Sequence, residues 1–133
     1  MADILQVLYV DDDVALLDIC KMFLEKSGKL EVDTSLTAKE AEAKLAGKHY
    51  DAIVSDYQMP ELDGIEFLRK LRSSGNTIPF ILFTGKGREE IVIQALNEGA
   101  DFYLQKGGSA KAQFTELSHK IQQATQKLSL IHI

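Results

Sequence analysis

The sequence predicts an α/β fold: a doubly wound, (βα)₅ sheet of five parallel strands in the order 2-1-3-4-5, with helices on both faces. Strand-like and helix-like patterns alternate five times along the 133 residues, which implies parallel strands joined by right-handed crossovers. Most strand-like runs are almost continuously apolar, as in sheets that are covered on both faces. The second run alternates apolar and polar residues, which indicates an edge strand and places the switch point between strands one and three.

Each predicted strand is a short run bounded by polar residues, glycine or proline. Pro79 introduces the fourth run, and Leu30, Val32 and Thr34 share one side of the half-exposed second run. The predicted strands are residues 4–10, 30–35, 51–56, 80–84 and 101–105.

The predicted helices show apolar residues at i, i+3, i+4 and i+7, which is the spacing of one buried helical face. Thr37 and Glu40 have the spacing of a capping box and open the second helix. The third helix covers residues 65–74, and the fifth carries its apolar stripe over residues 114–128. Glycines end the first four helices: Gly28, Gly47, Gly75 and Gly99.

Length and composition limit the functions open to the chain. It is long enough for one domain with a continuous core, and its net charge of −5 argues against direct binding of nucleic acid. Cys20 lies in the first helical pattern without a disulfide partner, which fits core packing in a reducing compartment. No apolar run reaches membrane-spanning length and no signal-like N-terminus is visible, so we expect a cytoplasmic protein without membrane contact.

Polar residues end four of the predicted strands. The carboxyl ends of parallel strands meet at one edge of the sheet, so these side chains should line a single crevice. Carboxylates suit a hard divalent cation such as magnesium, and a lysine and a hydroxyl suit phosphoryl oxygens. The residues at these ends are Asp11, Asp12, Asp56, Thr84 and Lys106.

The aspartate triplet also has a simpler interpretation as a polar turn. For Asp13, capping of the following helix is the better interpretation, because aspartate is a preferred N-cap residue. Asp11 and Asp12 need another explanation, since adjacent carboxylates repel each other. A magnesium ion gives them a reason to share a strand end.

Asp56 is the predicted reactive group. It ends a buried strand, and aspartate is a known covalent phosphoryl acceptor that forms an acyl phosphate. Lys106 and the Thr84 hydroxyl would bind the other phosphoryl oxygens. Other candidates are weaker, because the stretch Gly85-Lys86-Gly87 lacks the full P-loop pattern and the three histidines show no metal-ligand spacing.

Six motifs, in this order, resemble the receiver domain of two-component response regulators, a flavodoxin-like family that includes chemotaxis regulators. The resemblance spans about residues 4–126. The motifs are Val10-Asp11-Asp12-Asp13, Ser55-Asp56-Tyr57-Gln58-Met59-Pro60, Leu62-Asp63-Gly64, Phe83-Thr84-Gly85, Gly99-Ala100-Asp101 and Tyr103-Leu104-Gln105-Lys106.

The resemblance implies a phosphoacceptor signalling domain rather than an enzyme that acts on other substrates. Asp56 would receive a phosphoryl group from a histidine kinase or a phosphotransfer protein. Thr84 and Lys106 would read the phosphorylated state, and Tyr103 would be the aromatic switch that turns inward as Thr84 moves. The output would reach a partner or an attached domain, and a homodimer through the fourth helix, fifth strand and fifth helix is one route.

The resemblance also implies a metal ion, Mg²⁺ or Mn²⁺, at the same crevice. Asp11, Asp12 and Asp56 would hold it together with the backbone carbonyl of Gln58.

The segment after Lys106 departs from the family pattern. Receiver domains usually have proline after this lysine, often with a cis bond, whereas Gly107 and Gly108 follow it here. A cis bond before a residue other than proline costs roughly 3–4 kcal/mol, so we expect a trans bond and torsions open mainly to glycine. The sequence of residues 102–108 also resembles that of N-terminal receiver domains in archaeal multidomain sensor kinases.

Two other functions and the chain end stay open. Asp11-x-Asp13 after an apolar strand resembles the nucleophile motif of haloacid-dehalogenase-like phosphatases, although the further acidic ligands and cap of that family have no obvious counterpart. A pseudo-receiver that only binds a partner disagrees with the intact set of strand-end residues. We expect residues 1–126 to form the receiver domain and residues 127–133 to be a connector or an appended tail.

Overall fold

Five parallel strands form a single sheet in the order β2-β1-β3-β4-β5, which confirms the predicted fold class and topology. In this computed structural model, the described residues are 4–85 and 89–131, with side chains described as far as residue 126. The strands are β1 (Leu5–Val10), β2 (Leu30–Ser35), β3 (Ala52–Ser55), β4 (Phe80–Thr84) and β5 (Phe102–Gln105). The helices are α1 (Val14–Glu25), α2 (Ala38–Gly47), α3 (Gly64–Ser73), α4 (Glu89–Asn97) and α5 (Ala110–Ile131).

The sheet divides the core into two layers, because alternate side chains of each strand face opposite sides. Helices α1 and α5 cover one face, where Tyr9, Cys20 and Phe83 lie buried. Helices α2, α3 and α4 cover the other face. Cys20 packs in the core as predicted, and burial raises the pKa of its thiol to about 12, so the thiol stays neutral. Within the described ranges, no helix combines the length and apolar character needed to cross a bilayer.

Capping side chains fix where the helices near the crevice begin. Asp13 caps α1, as predicted, by accepting the backbone N–H three residues further on at 3.1 Å, and Thr37 caps α2 in the same way. Asp63 and Glu66 form a reciprocal capping box, which satisfies two N–H groups that the helix leaves unpaired. Helix α3 therefore begins at Gly64, one residue earlier than predicted.

Strand β2 forms an edge of the sheet, and charged side chains cover its outward-facing backbone groups. Lys21 of α1 donates to the carbonyl of Val32, and Glu25 accepts from the N–H of Val32 at 2.8 Å. Lys44 of α2 donates to the carbonyl of Thr34. An edge strand whose backbone groups are occupied in this way is a poor template for pairing with another chain.

Arg72 connects three segments at the amino end of the sheet. Its guanidinium donates to the carbonyl oxygen of Gly99 at 2.8 and 3.2 Å, and to those of Asn76 and Ile78 at 3.0 and 2.8 Å. Asp101 lies 3.6 Å from the same group. One side chain of α3 therefore holds together the entrances to β4 and β5.

We predict that Arg72→Met lowers the free energy of unfolding by about 2–4 kcal/mol, because it leaves the partly buried carbonyl groups of Asn76 and Ile78 without this donor. Urea unfolding measures the change. Arg69→Met is the matched control: Arg69 is exposed and pairs with Glu98 at the surface, so this substitution should change stability little. Equal losses in the two variants would contradict the role given to Arg72.

Candidate functional site

Three carboxylates meet outside the carboxyl ends of β1 and β3. One oxygen from each of Asp11, Asp12 and Asp56 lies within 4.8 Å of the other two. Asp11 is fully buried, Asp56 is 8% exposed, and Asp12 faces solvent. The convergence that the strand ends predicted is present, and we call these three residues the acidic cluster.

The buried Asp11 carboxylate is held by three donors. Lys106 Nζ lies 2.7 Å from Asp11 Oδ2, and the Tyr9 hydroxyl donates to the same oxygen at 3.2 Å. The backbone N–H of Asp13 donates to Asp11 Oδ1 at 3.0 Å. A buried charge is tolerated only when it is paired and hydrogen-bonded, and Asp11 meets both conditions. Sequence reasoning missed Tyr9, because an aromatic residue inside an apolar strand indicates core packing.

Asp56 lies beside Asp11 in a less fully compensated position. Burial raises the pKa of its carboxyl, and the neighbouring Asp11 raises it further. Lys106, a hydrogen bond from Thr84 and the N–H of Tyr57, which lies 2.9 Å from Asp56 Oδ1, oppose that rise without cancelling it. Two carboxylates thus share a site that disfavours the ionisation of one of them, which favours the binding of positive charge there.

Lys106 reaches both buried carboxylates. Its Nζ lies 3.4 Å from Asp56 Oδ1 as well as 2.7 Å from Asp11, so the expectation that the amine reaches Asp56 is confirmed. No described peptide bond is cis, so the bond to Gly107 is trans, as predicted. Gly107 and Gly108 have φ values of +148° and +74°, a region that side chains disfavour. The glycine pair therefore turns the chain away from the site while Lys106 stays in it.

Gly64 lets the start of α3 approach the backbone of Asp56. A Cβ atom at Gly64 would lie 2.2 Å from the carbonyl oxygen of Asp56 and 2.9 Å from a methyl carbon of Leu82. The N–H of Gly64 donates to the carbonyl of Tyr57 at 2.8 Å, which closes the loop after β3. The motif Leu62-Asp63-Gly64 was the available signal, but only the fold reveals the contact that excludes a side chain.

Of the remaining predicted residues, Gln58 lies beside the cluster and Tyr103 lies on β5, next to β4. Gln58 lines a shallow depression together with Asp12. In the β4–β5 pairing, Tyr103 lies opposite Leu82, and Thr84 lies opposite Gln105 two residues further along. The Tyr103 hydroxyl is buried without a hydrogen-bond partner among the described residues, and burial raises the pKa of that hydroxyl.

Among the described residues, the weaker candidates do not contribute to the cluster. His119 is exposed on α5, and His49 pairs with Asp51 at 3.4 Å. Lys86 and Gly87 of the Gly85-Lys86-Gly87 stretch, like His132, lie outside the described residues.

The acidic cluster fits a hard divalent cation. Its donors are carboxylate oxygens, which magnesium and manganese prefer, and they lie close enough together to share one ion. Asp12 opens the cluster to solvent, which suits an ion that keeps several of its waters. The Lys106 amine and the Thr84 hydroxyl are two donors that already contact the Asp56 carboxylate.

A parallel α/β sheet that gathers carboxylates, a lysine and a hydroxyl at its switch point defines a phosphoacceptor class of domain. The family model described as "Response regulator receiver domain" matches residues 7–122. The chain therefore belongs to this family of two-component signalling domains, whose members accept phosphoryl groups and are not conventional enzymes. An acidic cluster of this composition is typical of the family's magnesium site.

Individual relatives agree with this assignment. The response regulator SaeR of Staphylococcus epidermidis is 38% identical over 100 residues, which cover 75% of this chain and 43% of SaeR. The chain thus spans less than half the length of the curated relatives that it matches. The Francisella response regulator 1452 receiver domain has a TM-score of 0.84 and 31% identity, covering 93% of this chain and 98% of that one. The beryllofluoride-activated NtrC4 receiver domain dimer has a TM-score of 0.77 and 28% identity, covering 90% and 98%.

We predict that Asp56→Asn raises the free energy of unfolding at neutral pH in a metal chelator, on the order of 1 kcal/mol, because it removes a buried charge beside Asp11. Since folding raises the pKa of Asp56, its ionisation destabilises the native state above that pKa. The difference in free energy of unfolding between Asp56→Asn and the parent should therefore shrink as the pH falls through the folded-state pKa of Asp56.

Asp33→Asn is the matched control for this measurement, with the opposite sign. Hydrogen bonds from Tyr50 and Lys48 lower the pKa of Asp33, so its ionised form stabilises the fold and asparagine should destabilise it at neutral pH. Denaturant unfolding across a pH series checks both. Loss of stability in Asp56→Asn at neutral pH would contradict the strain described at the cluster.

Proposed function

We propose that this chain receives a phosphoryl group on Asp56 from a histidine kinase or a phosphotransfer protein, in a reaction that needs Mg²⁺ or Mn²⁺. The phosphorylated domain then controls a partner or an attached domain. The observation that carries the proposal is the position of Asp56, which shares the acidic cluster with Asp11 and Asp12 and also contacts Lys106.

In the proposed transfer, an oxygen of Asp56 forms a bond to phosphorus while the bond from phosphorus to the donor histidine nitrogen breaks. The imidazole leaves with that electron pair. Lys106 turns from Asp11 toward a phosphoryl oxygen, and the Thr84 hydroxyl donates to another. Both donors already contact the Asp56 carboxylate, so each has only a short distance to move.

The metal site proposed for this reaction consists of Asp11, Asp12, Asp56 and the backbone carbonyl of Gln58. When bound, the ion neutralises charge on the phosphoryl oxygens as they approach the carboxylates. Asp11 is already fixed by its hydrogen bonds, whereas the exposed Asp12 is free to adjust to the ion.

The proposed conformational switch links Thr84 to Tyr103. When Thr84 moves toward the phosphoryl group, it vacates space that the Tyr103 ring takes by turning inward. The buried Tyr103 hydroxyl has no hydrogen-bond partner among the described residues, so a rotation that brings it to a partner would be favourable.

The proposed output surface consists of α4, β5 and α5. Ile93 and Leu96 are 52% and 48% exposed on α4, and a homodimer through this surface would cover apolar area. The related NtrC4 receiver domain is a dimer in its beryllofluoride-activated form.

We further propose that residues 1–126 are the receiver domain and that residues 127–133 connect it to another part of a longer protein, such as a multidomain sensor kinase. The continuation of α5 to Ile131 supports a helical connector.

Acetyl phosphate with magnesium tests the proposal, because this small donor bypasses the unidentified kinase. We expect intact-mass measurement to find one added phosphoryl group that hydroxylamine removes, as an acyl phosphate requires. Asp56→Asn should remain unmodified. The matched control is Asp13→Asn, which keeps a good N-cap beside the cluster and should be modified normally. An unchanged adduct in Asp56→Asn, or steady turnover that depends on Asp11, would contradict the assignment and favour the phosphatase alternative.

A further inference from the structure

Tyr9 places a hydroxyl in the buried part of β1, one residue before the strand ends. The residue is fully buried, and its ring packs against Phe83 with ring centroids 6.3 Å apart. A buried hydroxyl costs free energy unless it has a partner, and phenylalanine would fill almost the same space without that cost. The partner is Asp11 Oδ2, at 3.2 Å. The hydroxyl therefore acts on the acidic cluster rather than on the packing of the core.

Two donors of unequal freedom share this carboxylate oxygen. Lys106 has a long side chain that is 20% exposed, and it also reaches Asp56 at 3.4 Å. Tyr9 has two side-chain torsions and is enclosed on all sides. A tyrosine hydroxyl is protonated at neutral pH, so Tyr9 is the donor and the Asp11 carboxylate the acceptor. One donor is able to leave Asp11, and the other is not.

We propose that Tyr9 is a positioning residue that keeps the Asp11 carboxylate oriented for a divalent cation when Lys106 turns toward the phosphoryl group. This inference rests on the proposed function, since the metal and the movement of Lys106 belong to it. In the resting domain Lys106 and Tyr9 hold Asp11 Oδ2 together. In the phosphorylated domain Tyr9 alone holds it, and Asp13 continues to hold Oδ1.

The expected size of the effect follows from the role of outer hydrogen bonds at metal sites. Groups that orient a ligating side chain typically change metal affinity by about 10–100-fold when they are removed. Tyr9→Phe removes only the hydroxyl and keeps the ring against Phe83. It should therefore weaken magnesium binding by about tenfold without unfolding the domain.

Tyr50→Phe is the matched control. Tyr50 is also buried, and its hydroxyl donates to Asp33 Oδ2 at 2.6 Å, outside the acidic cluster. Each substitution thus removes one hydrogen bond between a tyrosine and an aspartate. A general effect of lost stability would appear in both variants, whereas an effect on the orientation of Asp11 would appear only in Tyr9→Phe.

The experiment titrates magnesium alone into the metal-free parent, Tyr9→Phe and Tyr50→Phe by calorimetry, with unfolding in chelator as the measure of stability. We expect both variants to lose some stability and only Tyr9→Phe to lose magnesium affinity. The magnesium concentration that half-saturates phosphorylation by acetyl phosphate should rise in Tyr9→Phe, while the rate at saturating magnesium stays near that of the parent. Equal magnesium affinity in the parent and Tyr9→Phe, or equal losses in both variants, would overturn the inference.

Two further results separate this inference from the proposed function. A parent chain that binds no magnesium would overturn the proposed metal site and this inference together. If the parent binds magnesium and Tyr9→Phe binds it equally well, only the inference is overturned.

NMR of the parent protein supplies a test that needs no variant. The Tyr9 hydroxyl proton should stay protected from exchange after magnesium and beryllofluoride are added, and loss of that protection would also overturn the inference.

Discussion

The ion pair between Lys106 and Asp11 is the interaction on which the acidic cluster depends. Asp11 is fully buried, and a carboxylate without a partner at such a depth costs several kcal/mol. The compensating amine lies 95 residues away in the chain, at 2.7 Å. The sheet order β2-β1-β3-β4-β5 brings the ends of β1 and β5 to the same edge of the sheet. The fold and the site therefore constrain each other.

The cluster holds an electrostatically unfavourable arrangement that the binding of a cation would relieve. Burial and Asp11 raise the pKa of Asp56, and Lys106 divides its contacts between both carboxylates. A divalent cation would neutralise the remaining negative charge, and phosphorylation would give Lys106 a stronger acceptor than either carboxylate. Because the Asp56 carboxylate is only partly compensated in the resting domain, Lys106 would change its contacts when a stronger acceptor is present. Functional sites often retain such local conflicts, which the rest of the fold over-determines.

The positions of the principal site residues followed from the sequence because they obey a simple geometric rule. Asp11, Asp12, Asp56 and Lys106 end or follow strands of a parallel sheet, so their convergence needs only the strand order. Asp13 was likewise recognised as a helix cap from its residue type and position. These features depend on local pattern and topology, which a sequence carries directly.

Other features depended on distances that no pattern encodes. The Tyr9 hydroxyl reaches Asp11 because its ring packs against Phe83 in one particular orientation. The strand pattern predicts only that the ring is buried in the core. Gly64 matters because α3 begins against the carbonyl of Asp56, a clearance visible only in three dimensions. Arg72 joins the entrances of two strands through backbone carbonyl groups, which have no residue-specific signal.

A double-mutant cycle on the unfolding of the metal-free protein tests the central claim most directly. Lys106→Met should cost about 3–5 kcal/mol, because it leaves the buried Asp11 charge without its cation. Asp11→Asn, introduced into Lys106→Met, should recover much of that loss, since it removes the charge itself. The account therefore predicts a large coupling between the two substitutions. Losses that simply add would show that the ion pair between Lys106 and Asp11 is not what holds the site together.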